Sequence, residues 1–194
     1  MSRRKSGCRF GNGLNLNRGK FEMKLKNALY GVFIAIMMAV GVISQQPSQA
    51  AALTNTYENS IIDWLMRGQS LTPPATGYIA LFTTCPTDST SGTEVLGGSY
   101  ARVAVTASLA NWAGTQSAGS TTASSGTGGT TSNNSAITFP TATADWGTVN
   151  CFGYMTASTS GTLVFYATLT VPRAVTNGAT ASFSAGTLTF TIDN

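Results

Sequence analysis

Residues 162–192 read TLVFYATLTVPRAVTNGATASFSAGTLTFTI, and their punctuation decides the fold class. Three runs, Thr162–Val171, Ala179–Ser184 and Thr187–Ile192, are rich in the β-branched and aromatic residues that fit a pleated surface. Between Val175 and Ala179 stands Asn177-Gly178, the pair that most readily takes the positive φ angles of a hairpin turn. A short echo joins GTLVF at 161–165 to GTLTF at 186–190, too brief to be a repeat.

Upstream the same texture continues. Tyr78–Thr83 (YIALFT) reads as a buried strand. Tyr100–Ala107 (YARVAVTA) alternates, with Ala101, Val103, Val105 and Ala107 on one face and Tyr100, Arg102, Ala104 and Thr106 on the other. Ala136–Phe139 and Thr148–Met155 complete seven runs separated by Gly, Ser, Thr and Asn. The expectation is an all-β domain, an antiparallel sandwich or jelly roll, and not a parallel α/β sheet.

One helix precedes the strands. Within LTNTYENSIIDWLMRGQ (53–69) the pattern predicts a helix over 55–67, with Asn55 and Glu58 spaced as a capping box. Tyr57, Ile61, Trp64 and Leu65, with neighbouring Ile62, form an apolar stripe at helical spacing. Gly68 supplies a left-handed stop and Pro73-Pro74 forbid continuation. In the simpler reading the Trp64 stripe docks on the sheet. In the sharper one Ile61, Trp64 and Leu65 mark an assembly helix that docks on another subunit.

Residues 113–135 (AGTQSAGSTTASSGTGGTTSNNS) hold no apolar side chain larger than alanine and are expected to form a flexible, exposed loop bracketed by Trp112 and Ile137. Two uses are open for it, a recognition loop or subunit arm and a solvated linker.

Charge divides the 194-residue chain in two. Eight of its eleven cations lie in the first 26 residues, whereas residues 51–194 carry three arginines against six acids. The body therefore offers no basic surface to a phosphate backbone, and no nucleic-acid partner is expected. Residues 1–50 read as a basic leader with a signal peptide or membrane anchor. Lys24 and Lys26 precede an uncharged stretch, Ala28–Ile43, and Ser48 and Ala50 occupy the small-residue positions before a cut after Ala50. If the stretch is uncleaved, residues 28–43 are the only membrane contact expected. Either use sends residues 51–194 out of the cytoplasm.

The chain has no histidine, which excludes His-ligated metal sites and Ser-His-Asp or Cys-His nucleophile systems. Asp88, Glu94 and Asp145 are the acids that a glycoside hydrolase would need to bring face to face, but nothing in their spacing requires it. Asp88–Glu94 is oxygen-rich around Gly92 without the repeated carboxylates of an EF-hand loop. Gly126–Gly129 lacks the lysine of a phosphate-binding loop. The expectation is therefore a non-enzyme with no catalytic residue, no metal and no cofactor. Trp112, Trp146, Phe139, Phe152, Phe165, Phe183 and Phe190 are read as core, not as a sugar platform. Cys85 and Cys151 are open to two readings: a disulfide, which an exported protein would form and which stabilises by about 4 kcal/mol on a loop-entropy account, or two ordinary buried thiols.

Taken together, LTNTYENSIIDWLMRG, TPPATGYIALFTTCPTD, GTEVLGGSYARVAV, TSNNSAITFPTATADWGTVNCFGYM, GTLVFYATLTVPRAV and FSAGTLTFTI resemble a family of small tailed-bacteriophage virion proteins, described as tail-fibre-like or minor structural proteins. The resemblance spans residues 53–192. It implies a β-rich assembly subunit of the virion, a fibre, knob or decoration protein, with other virion proteins and a host surface glycan or receptor as partners. The signal-like leader departs from that pattern, because virion proteins assemble in the host cytoplasm. Either the gene start is wrongly placed, or the chain is the alternative, an exported bacterial cell-surface or matrix protein of prophage origin.

Self-association follows from the residues as well. The helix carries more apolar surface than one docking stripe uses, and no lysine after Lys26 guards the sheet edges. A homo-oligomer is expected, and the phage resemblance favours a trimer.

Overall fold

The computed structural model describes residues 51–192, so the signal-like segment 28–43 and the rest of the leader lie outside the described residues. In chain order the elements are β1 (Ala52–Leu53), α1 (Asn55–Met66), β2 (Thr76–Thr84), β3 (Thr93–Glu94), β4 (Val103–Thr106), β5 (Thr130–Ser132), β6 (Ile137–Thr141), β7 (Gly147–Met155), β8 (Leu163–Val175), β9 (Thr180–Phe183) and β10 (Thr189–Thr191). The fold is all-β with antiparallel pairing and one short helix, as the sequence predicts.

Six strands make the main sheet in the order β1-β8-β7-β2, with β3 and β4 sharing the far side of β2. Two ribbons, β10–β5 and β6–β9, form the second layer. Ile79, Leu81 and Phe152 of the main sheet pack with Ile137, Phe139, Ala181, Phe183 and Phe190 of the ribbons, and with Leu188 just before β10, into one core. The layers meet through aromatic edges: the Phe152 ring lies 5.4 Å from Phe183 at 63° and 5.7 Å from Phe190 at 73°. Such contacts add to the burial of ring area. The opposite face of the sheet carries a smaller buried cluster of Ala80, Phe82, Cys151 and Met155. Because β2 is covered on both faces, YIALFT is a continuous apolar run and does not alternate.

Each of the seven predicted runs overlaps a strand, with two corrections of detail. The Thr162–Val171 run does not stop at Val171 but continues through Pro172 to Val175. The β7–β8 ladder shifts register between Val149/Arg173 and Cys151/Thr168, and the proline sits in that irregularity, where its missing N–H breaks no ladder bond. Asn177-Gly178 does make a turn, Gly178 having φ 84° and Ala179 donating to the Thr176 carbonyl. The flanking strands do not pair with each other, however: β8 pairs with β7 and β9 with β6. The turn is a corner between layers. It is held by Gly178 donating to the Ala142 carbonyl and by the Asn177 amide donating to Asp145.

The helix also departs from expectation at its start. Thr54 is the N-cap and its hydroxyl makes no capping bond, so the predicted Asn55–Glu58 box does not govern the terminus. That hydroxyl donates instead to the Leu163 carbonyl (2.7 Å), and the Thr54 amide donates to Val164. The cap has been traded for an anchor to β8. At the other end Gly68 adopts φ 72°, the left-handed stop expected of it.

Candidate functional site

The root of α1 is anchored to β8 through Thr54, and none of the helix residues is buried. Tyr57 and Ile61 are half-buried, whereas Trp64 is 53% exposed and Leu65 66%. The stripe is thus covered in part, at Tyr57 and Ile61, and open at Trp64 and Leu65. Ile62 and Met66 are exposed too, at 54% and 76%. The Asp63–Arg67 pair, 2.8 Å apart, lies in solvent and contributes little.

A cavity of about 740 Å³ opens beneath the helix. Tyr57 and Trp64 overhang it, and Leu71, Pro73 and Pro74 close one side as the chain returns to β2. Its floor is Trp112, Tyr154, Phe165 and Phe190, whose rings meet at 5.3 to 6.1 Å. The two phenylalanines of the GTLVF/GTLTF echo are neighbours here. Burial raises the phenol pKa of Tyr154 and of Tyr57, so both hydroxyls stay neutral. Tyr154 lies directly over Gly77, where an added Cβ would fall inside its ring.

The far wall comes from the Ser/Thr/Gly segment, including Thr115, Ser124, Thr130 and Thr131. This segment is more organised than its composition predicts. Thr130–Ser132 is strand β5, and Ala113, Gly114, Ser132 and Asn133 are buried. Gln116 ties the loop together: its amide donates to Thr122 Oγ1 and the Ala123 carbonyl, and its oxygen accepts from the Ser125 amide. Asn133 is a keystone that sequence reasoning missed. It donates to the carbonyls of Ser135 and Ser184 and accepts from the Leu188 amide, so its burial leaves no unmet polar atom. Polar composition hid this order, because the bonds run from side chain to backbone and leave no hydrophobic period.

No charged residue lines the cavity among the described residues. Two of its hydroxyls are already committed, Thr130 donating to the Gly128 carbonyl and Thr131 to that of Ala113. The arrangement suits an apolar, uncharged surface and has no groups poised for proton transfer.

The acids weighed for catalysis serve the fold. Asp88 accepts a hydrogen bond from the Tyr166 hydroxyl, Asp145 from the Asn177 amide, and Glu94 from Arg102 and Tyr100. No group of three or more potential metal ligands occurs among the described residues. The residues read as core pack in the main cluster or against it. Cys85 and Cys151 stand with Cα atoms 5.3 Å apart and their sulfurs joined, a separation within disulfide range.

The domain is thus an antiparallel β-protein in which Asp88, Glu94 and Asp145 are each bonded within the fold and an apolar recess lies beside a largely exposed helix. The chain belongs to the family described as Podophage GP4 fiber I protein gp80, whose model matches residues 52–191. It is thus a tail-fibre-like structural protein of a tailed phage, and its place is the virion. No curated protein matches the sequence.

Proposed function

We propose that the domain is a non-enzymatic fibre subunit that acts by self-assembly and presents its outer surface to the host, with α1 as its assembly element. The observation that carries this reading is the helix itself. Ile62, Trp64, Leu65 and Met66 are each more than half exposed on one short element, an apolar patch of the kind that marks an interaction site. Covering that patch with sister subunits removes an aggregation liability, and cyclic closure stops open-ended growth. A trimer is the expected order, and other virion proteins and a host surface glycan or receptor are the further partners.

The test is the size of the full chain before and after Leu65→Asp. Leu65 is exposed, so the change spares the fold, and an oligomer that dissociates with it supports the reading. A particle of unchanged size contradicts it.

A second reading, an exported bacterial surface protein of prophage origin, rests on the signal-like residues 23–50. Mass spectrometry of the native protein decides it, because an N-terminus at Ala51 means export.

A further inference from the structure

The helix has two apolar flanks. Tyr57 and Trp64 look into the chain's own cavity. Ile62, Leu65 and Met66, spaced i, i+3 and i+4, form a separate ridge on the flank that does not line it. One molecule thus carries an apolar ridge and an apolar recess that its own geometry keeps apart.

The two match in chemistry. The recess offers Trp112, Tyr154, Phe165 and Phe190 with no charged lining residue, and the ridge is three uncharged aliphatic side chains. A sugar is a poorer fit, because Thr130 and Thr131 already spend their hydroxyl protons within the fold. Water is a poorer fit still against so apolar a floor. A recess of about 740 Å³ falls in the size range that takes a bulky apolar group.

Resting on the self-assembly reading above, we infer that the cavity under α1 is the seat for a second copy of this chain, which inserts its Ile62–Leu65–Met66 ridge. The contact is head-to-tail: ridge of one copy, recess of the next. Such an interface is heterologous and closes into a ring when its rotation allows. Both surfaces lie on or under the same helix, so each subunit uses one element to give and to receive.

A head-to-tail contact has a signature that a symmetric one lacks, complementation between two defective copies. Ala107→Trp fills the recess from an exposed position on its lining, and Leu65→Asp ruins the ridge. Each full-length variant alone is expected to sediment as a monomer. Mixed in equal amounts, they are expected to form a dimer and nothing larger, because one intact ridge meets one intact recess. Ser124→Trp, also exposed on the lining, serves as a second recess-filling variant if Ala107→Trp does not fold.

If wild type assembles and Leu65→Asp dissociates while both recess-filling variants still assemble, the helix is the interface but the cavity is not its seat, and the inference is overturned alone. If the two defective variants do not complement, the head-to-tail arrangement is overturned. A wild-type monomer overturns the self-assembly reading itself.

Discussion

Arg102 holds Glu94 at two points, Nε to Oε1 at 2.8 Å and Nη2 to Oε2 at 2.7 Å. The pair is largely buried, with side-chain exposures of 8% and 20%. The remaining end of the guanidinium donates to the carbonyls of Ala157 and Ser160, and the Tyr100 hydroxyl donates to Glu94 while accepting from the Leu81 amide. One ion pair thereby joins the β3 edge, the start of β4, the centre of β2 and the β7–β8 turn.

Removing one partner leaves the other charge buried without compensation. Arg102→Ala is expected to cost about 3–5 kcal/mol of stability, and Arg102→Lys to lose part of it, because an ammonium cannot match the two-point geometry. Urea denaturation of the full chain measures both. A loss below about 1 kcal/mol, the scale of a surface pair, contradicts the structural role.

Alkaline pH acts on two hydrogen-bonded phenols, Tyr166 and Tyr100. Burial, and then the hydrogen bond to Asp88, pushes the Tyr166 phenol up to about 12 from its ordinary 10.0. Burial foremost also raises Tyr100, with Glu94 adding to it. These phenols hold their protons more tightly in the folded chain than in the unfolded one. Their contribution to stability is therefore complete below the unfolded value and disappears as pH rises through the folded one. The urea midpoint is expected to fall between pH 10 and 12, and Tyr166→Phe is expected to make that fall shallower. A midpoint that stays flat across the window contradicts the assignment.

The legible part of this molecule is its period. YIALFT, YARVAVTA and the three runs of residues 162–192 each carry strand texture long enough to read, and each is a strand or contains one. Strands β1 and β3 are two residues long and β5 three, too short to show any alternation. The pairing of β1 and β5 is imposed by partners far away in sequence, Leu53 by Phe165 and Thr131 by Phe190. The turn at Asn177-Gly178 was readable because φ preference is local. Its direction was not, because choosing between a hairpin and a corner depends on Ala142 and Asp145. The cavity was illegible for the same reason: Trp112, Tyr154, Phe165 and Phe190 come from four separated segments, and each alone reads as core.

The cysteine pair separates the two cellular histories. Cys85 follows β2 and Cys151 lies in β7, 66 positions further along the chain. A closed loop of that size is expected to stabilise the domain by about 4 kcal/mol. In the full chain unfolded without reductant, a closed pair leaves one titratable thiol, Cys8, where an open pair leaves three. Protein taken from the reducing cytoplasm is expected to show three, and protein exposed to an oxidising medium one. Three thiols persisting after oxidation contradict a disulfide at this position.

Self-assembly through α1 is the claim on which the functional account turns, and sedimentation equilibrium of the full chain at micromolar concentration tests it most directly. The account predicts a closed oligomer of fixed order, a trimer by preference, that falls to monomer when Leu65 becomes aspartate. A well-behaved wild-type monomer, or an oligomer indifferent to Leu65→Asp, would contradict it.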